Sequence, residues 1–178
     1  MHTVELLPDP ATEGAVQDVW RRLLGLGLPS QATHRHPTNR PHLTLATADA
    51  LTSEVRGWLR RELAVLPIPL HLEGLVRFTG RTRVLAWAVR PDDVLLRLHE
   101  TVWRTLRDAP ESGRLNPLHD PARWIPHITL GRGRDAVGRD PQDDLFQETA
   151  APAGVLAGRW EAARHYDSLT RTTDRIGF

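Results

Sequence analysis

Two stretches decide how this chain is read: Arg40-Pro41-His42-Leu43-Thr44-Leu45 and, 85 residues later, Ile125-Pro126-His127-Ile128-Thr129-Leu130. They share Pro-His-aliphatic-Thr-Leu. With 14 Pro and 9 His among 178 residues, one such pentapeptide is expected by chance roughly 0.01 times, so two copies mark a duplication. On an extended strand, alternate side chains share a face. His42 and Thr44 therefore point one way and Leu43 and Leu45 the other, and His127 with Thr129 is backed in the same manner by Ile128 and Leu130. Each copy reads as a polar pair on a strand whose other side enters a core. A pseudo-symmetric arrangement then brings both pairs to one cleft.

The bare pattern His-x-Thr is much weaker and occurs twice more. His36-Pro37-Thr38 lies in a polar loop, and His99-Glu100-Thr101 lies in a helical pattern, where residues two apart do not share a face. Neither can aim both side chains at one ligand.

Working outward from the first motif, residues 3–7 read as a strand and Pro8–Thr12 as a break. Ala15–Leu26 then carries Val16, Val19, Trp20, Leu23 and Leu24 at helical spacing. Beyond the motif, Thr52 or Ser53 is placed to cap a helix whose inner face holds Val55, Leu59, Leu63 and Leu66. Strands at residues 70–78 and 83–89 follow, joined as a hairpin through Thr79-Gly80-Arg81-Thr82. Asp92 or Asp93 starts a third helix with Val94, Leu95, Leu98, Val102 and Leu106 inward, and Phe78 and Trp87, in the strands of the preceding hairpin, read as core. The second motif occupies a strand at residues 125–131, between loops at 110–123 and 133–144; strands at 159–169 and 175–178 close the chain. Strands and helices mixed without strict alternation make this an α+β protein with antiparallel sheets. No linker divides residues 1–178, which read as one domain of two intimate lobes.

Composition narrows the chemistry. The absence of Cys removes disulfides, thiolate metal sites and cysteine nucleophiles. None of the 23 basic residues is Lys, which removes Schiff-base and ATP-activating lysines. A net charge of +1 is too small for a protein that works on duplex DNA. No apolar run approaches the ~18 residues of a membrane span, and the start lacks a leader pattern, so the chain reads as cytoplasmic. No His cluster has the spacing of a three-ligand zinc site, and the acidic stretch 135–144 is too mixed with Arg for a calcium loop.

The duplicated His-x-Thr motif resembles that of the 2H phosphoesterase superfamily, and within it the bacterial 2′-5′ RNA ligase-like proteins, also described as RNA 2′,3′-cyclic phosphodiesterases. Arg132, two residues after the second motif's Leu, and the segment His165-Tyr166-Asp167-Ser168-Leu169 add to the likeness. The resemblance implies a bilobal, pseudo-symmetric α+β fold, with two antiparallel sheets lining a central groove and helices outside. RNA ends or cyclic nucleotides are the implied partners of a monomer without metal or other cofactor.

Two His and two Thr suit acid–base phosphoryl chemistry without a covalent intermediate. For a 2′,3′-cyclic phosphate, a neutral imidazole takes a proton from water while an imidazolium protonates the departing ribose oxygen. His42 and His127 are thus the candidate catalytic pair, with Thr44, Thr129 and Arg132 as phosphate-binding groups. Which ring is acid and which is base stays open at this level, as does hydrolysis against reversible 2′-5′ ligation. Trp124 and Tyr166 are candidates to stack a base, and Arg81 and Arg83 to meet RNA phosphates. The rival reading is a noncatalytic RNA-end or nucleotide-binding module that uses the histidines only as phosphate donors.

Overall fold

The computed structural model describes residues 1–80, 82–134, 148–150 and 154–177. Along the chain, strands and helices run His2–Pro8 (β1), Pro10–Gly25 (α1), Leu43–Ala48 (β2), Ser53–Glu62 (α2) and Ile68–Phe78 (β3). They continue as Thr82–Val89 (β4), Asp93–Arg107 (α3), His127–Arg134 (β5), Leu156–Asp167 (β6) and Thr172–Ile176 (β7). Arg81 and residues 135–147, which hold most of the second long loop and the acidic stretch, lie outside the described residues. No helix among the described residues is long and apolar enough to cross a membrane.

The helices start where side chains satisfy their first backbone N–H groups. Thr52 Oγ1 accepts from Val55 N at 3.3 Å and Asp92 Oδ1 from Leu95 N at 2.8 Å. Helix α1 begins five residues earlier than its apolar spacing suggests, because Asp9 caps it and Pro10 occupies the first turn, where its missing N–H costs nothing. The Asp9 carboxylate accepts from Thr12 N at 3.0 Å and from Arg159 N at 2.7 Å, tying the helix start to β6. Gly158 is required at this joint, since a Cβ there would collide with the side chains of Thr12 and Asp9.

All strand pairings are antiparallel, in the order β2-β1-β6-β3-β4-β5, with β7 beside β6. The two sheets expected from the sequence are the two halves of one hydrogen-bonded sheet. The 12-residue β6 passes between them, its residues 156–160 pairing β3 and its residues 160–167 pairing β1. At the crossing the register skips Glu161, a bulge of the kind that bends a strand. The sheet curls until β2 and β5, the two ends of its strand order, lie against each other.

One face of this sheet packs on the helices in a single continuous core. Leu6, Leu43, Leu45, Leu70, Leu72, Ile128, Leu130 and Trp160 are almost wholly buried there, against Val16, Val19 and Leu23 of α1 and Leu95, Val102 and Leu106 of α3. The opposite face carries both motifs.

Candidate active site

His42 immediately precedes β2 and His127 opens β5. His42, Thr44, His127 and Thr129 are each half-buried, whereas the alternating Leu43, Leu45, Ile128 and Leu130 are at most 1% exposed. The burial pattern is therefore the same in both copies. So is the ring geometry: His42 Nδ1 lies 2.7 Å from the Arg40 carbonyl oxygen, and His127 Nδ1 lies 2.7 Å from that of Ile125. A carbonyl can only accept, so each Nδ1 carries a proton and donates it two residues back. Nε2 is left on both rings as the atom that gains and loses a proton.

The duplication extends into the backbone. Between β1 and β2 the register steps from Val4–Ala46 to Glu5–Thr44, leaving Leu45 extra; between β4 and β5 it steps from Leu85–Gly131 to Ala86–Thr129, leaving Leu130 extra. Each motif thus ends in a bulge at the equivalent Leu. Cross-strand partners share a face, and the bulge resets the alternation. Arg132, three residues after Thr129, would face the core in a regular strand; the bulge returns it to the side of His127 and Thr129. There it is exposed, and its positive charge acts on His127. Near these bulges, where ladder pairing is interrupted, an indole takes each motif threonine's carbonyl. Trp124 Nε1 donates to Thr44 O and Trp20 Nε1 to Thr129 O, both at 3.1 Å.

The surroundings of the two imidazoles differ. Glu5, opposite Thr44 on β1, is 3% exposed and places Oε1 3.7 Å from His42 Nε2. The same carboxylate accepts from Thr3 Oγ1 and from Arg164 Nε, each at 2.7 Å. Burial alone would raise the Glu5 carboxyl, but the positive fields of His42 and Arg164 and these hydrogen bonds hold it below its ordinary value. The position equivalent to Glu5 across from Thr129 is Ala86. His127 packs instead on the ring of Phe78, with centroids 4.6 Å apart. Burial pushes His127 down; the Ile125 carbonyl opposes this, and the charges of His42 and Arg132 add to it. His127 therefore tends to be neutral near pH 7, in a setting unlike that of His42.

Several residues stand elsewhere than their sequence patterns suggest. Phe78, expected in the core, is half-buried against His127, while Trp87 is in the core with its N–H on Ala150 O at 2.7 Å. Trp124, a candidate for base stacking, has one face against buried His99, with centroids 3.7 Å apart and planes within 3°, and its N–H engaged by Thr44. It serves as a strut between α3 and β2. Tyr166 is half-buried on the groove face, beside Thr3. The weaker His-x-Thr patterns stay apart from the groove: His36 bonds its own Thr38 at 2.8 Å, and His99 is 1% exposed within α3. Burial pushes His99 and His119 down to about 4, and His119 lies near enough to feel the charge of His127.

Glu5 and Arg164 are site residues that the sequence patterns do not single out. The one signal available is a carboxylate inside the apolar run Val4-Glu5-Leu6-Leu7. Among the described residues, no group of three His, Cys, Asp or Glu side chains is placed to hold a metal ion.

Similar architectures occur in proteins of distant sequence. Usb1 of Kluyveromyces marxianus superposes with a TM-score of 0.56 at 14% identity, over 99% of this chain and 97% of that one. TT0787 of Thermus thermophilus gives 0.66 at 19% identity, over 98% and 94%. E. coli LigT in its apo form gives 0.55 at 17% identity, over 98% and 91%. No curated protein sequence matches the chain significantly. The sequence profile of the 2′-5′ RNA ligase superfamily matches residues 8–168, a span that contains both motifs, both bulges and all but the first and last strands. With two equivalent histidine motifs meeting at the ends of one curled sheet and a profile match over most of its length, the chain belongs to the 2′-5′ RNA ligase superfamily of 2H phosphoesterases.

Proposed function

We propose that the protein hydrolyses 2′,3′-cyclic phosphate ends of RNA or cyclic nucleotides to 2′-phosphomonoesters through His42 and His127. One observation supports the reading: two imidazoles at the approaching ends of the curled sheet, each with Nδ1 held by the carbonyl two residues before it, and near enough for the charge of one to act on the other. Such a pair supports simultaneous proton removal and delivery on opposite sides of one phosphorus. The low-lying, apolar-packed His127 suits the base.

The surrounding groups suit the charge that develops. Thr44 and Thr129 hydroxyls reach the non-bridging oxygens, and Arg132 offsets the negative charge that grows on them. Usb1 and LigT have been solved with uridine monophosphate and with 3′-AMP, respectively, which supports a nucleotide as the ligand of this groove. Ligation to a 2′-5′ linkage is ring opening reversed on the same four side chains.

The test is turnover of an oligonucleotide ending in a 2′,3′-cyclic phosphate, with products resolved as 2′- or 3′-phosphates. A 2′-phosphate product is expected, at a rate that EDTA leaves unchanged. Binding without turnover would favour a noncatalytic nucleotide-binding module, and loss of rate with EDTA restored by a divalent ion would overturn the two-histidine chemistry.

A further inference from the structure

The two motifs are duplicated down to the bulge and the ring hydrogen bond, yet the strand beside each supplies a different residue. Opposite Thr44 stands Glu5; opposite Thr129 stands Ala86. Glu5 is not a surface carboxylate that wanders. Its side chain is 4% exposed, with Oε2 on Arg164 Nε at 2.7 Å and Oε1 taking the Thr3 hydroxyl at 2.7 Å. Oε1 then stands 3.7 Å from His42 Nε2, at ion-pair rather than hydrogen-bond separation. A carboxylate bonded only to Arg164 and Thr3 would complete a structural pair; here the same oxygen also faces the working nitrogen of a motif histidine.

We propose that Glu5, fixed by Arg164 and Thr3, is a positioning residue that holds His42 as the protonated ring and so sets the direction in which protons cross the site. The proposal rests on the two-histidine reading above and deepens it by assigning the roles. In ring opening, a bond forms between the water oxygen and phosphorus as the bond from phosphorus to the ribose 3′ oxygen breaks. The water proton goes to His127 Nε2. The proton on His42 Nε2 goes to the departing oxygen, so atoms and charge balance, and each ring ends in the other's starting state. Exchange with solvent restores both.

The groups that act on His42 come from three elements. Glu5 faces it from β1 with Arg164 of β6 behind, and His127 stands across from it on β5. Arg40, two residues before it in sequence, directs its guanidinium onto Glu13, with bonds of 2.9 and 2.5 Å. The carboxylate is thus the one negative group among the described residues recorded beside His42 Nε2. An opposite charge at such a distance favours the charged form of the ring it faces.

The experiment compares the parent, Glu5→Gln, Glu5→Asp and the double variant Glu5→Gln/Arg164→Gln, which removes both buried charges and guards against misfolding from a lone Arg164. In the parent, kcat/KM for a 2′,3′-cyclic substrate rises and then falls with pH. In Glu5→Gln and in the double variant the falling limb, which reports the protonated ring, moves down by about one unit or more. Activity at pH 7.5 then drops at least about tenfold and recovers on acidification, while Glu5→Asp stays close to the parent. Nitrogen-resolved spectra of the imidazoles give a reading independent of turnover: His42 gives up its proton at lower pH without the Glu5 charge. A Glu5→Gln profile lowered equally at all pH values, with an unmoved His42 titration, would overturn the proposal as a merely structural effect. A moved titration in a protein without turnover would instead overturn the two-histidine reading while leaving the Glu5–His42 coupling intact.

Discussion

Replacing His127 by Ala lowers kcat on a 2′,3′-cyclic substrate by about 10²–10⁴-fold, the usual worth of one positioned proton transfer. His42→Ala loses a comparable factor through the opposite transfer. Neither removal disturbs the core, because the buried side of each motif is carried by Leu43, Leu45, Ile128 and Leu130 and the histidines face the groove. Thermal unfolding should therefore change little. The two rings act as one unit, so the double variant should be little worse than the poorer single one. The pH dependence follows from the direction of the His127 shift: a base held below the ordinary imidazole value is already deprotonated at neutral pH, so the rising limb of the parent profile lies below about pH 6.5. His36→Ala, at an exposed ring that bonds only its own Thr38 segment, supplies the control and should leave turnover within a fewfold of the parent. A folded His42→Ala protein with full activity would show the duplication to be structural.

Thr44→Val and Thr129→Val each raise the barrier by about 2–4 kcal/mol, as expected for the loss of one donor to developing negative charge. Valine keeps the branched shape that suits a strand and removes only the hydroxyl. The hydroxyl's partner forms as charge accumulates on the phosphoryl oxygens, so the loss should fall on kcat with little change in KM. Steady-state kinetics on the cyclic substrate, with unfolding curves alongside, separates this from a packing defect. A rise confined to KM would assign these threonines to ground-state binding alone.

Much of this arrangement is legible in the chain itself. The motif strands, the helix faces and the β3–β4 hairpin follow from period and turn residues, since those are local properties. The bulges at Leu45 and Leu130 are not local: an extra residue exists only relative to a partner strand, and their effect on Arg132 cannot be read from its spacing. Glu5 is hidden for a related reason. Within Val4-Glu5-Leu6-Leu7 it resembles the exposed side of an edge strand, and only the pairing of β1 with both β2 and β6 puts His42 and Arg164 on either side of it. The start of α1 is obscured because Pro10 reads as a breaker, although the first helical turn accepts proline once Asp9 caps it. Phe78 reads as core from its apolarity, and its actual neighbour comes from β5, nearly 50 residues away. The union of the two halves through β6 likewise depends on tertiary pairing that no segment of β6 announces.

Whether the two motifs grip one phosphate between them is tested most directly by a crystal structure with a nucleoside 2′-monophosphate, the proposed product. A single phosphate is expected, with its oxygens about 2.6–3.2 Å from both His42 Nε2 and His127 Nε2, the usual reach of an acid–base pair, and within hydrogen-bond range of the Thr44 and Thr129 hydroxyls. A phosphate that touches one motif only would contradict the shared grip.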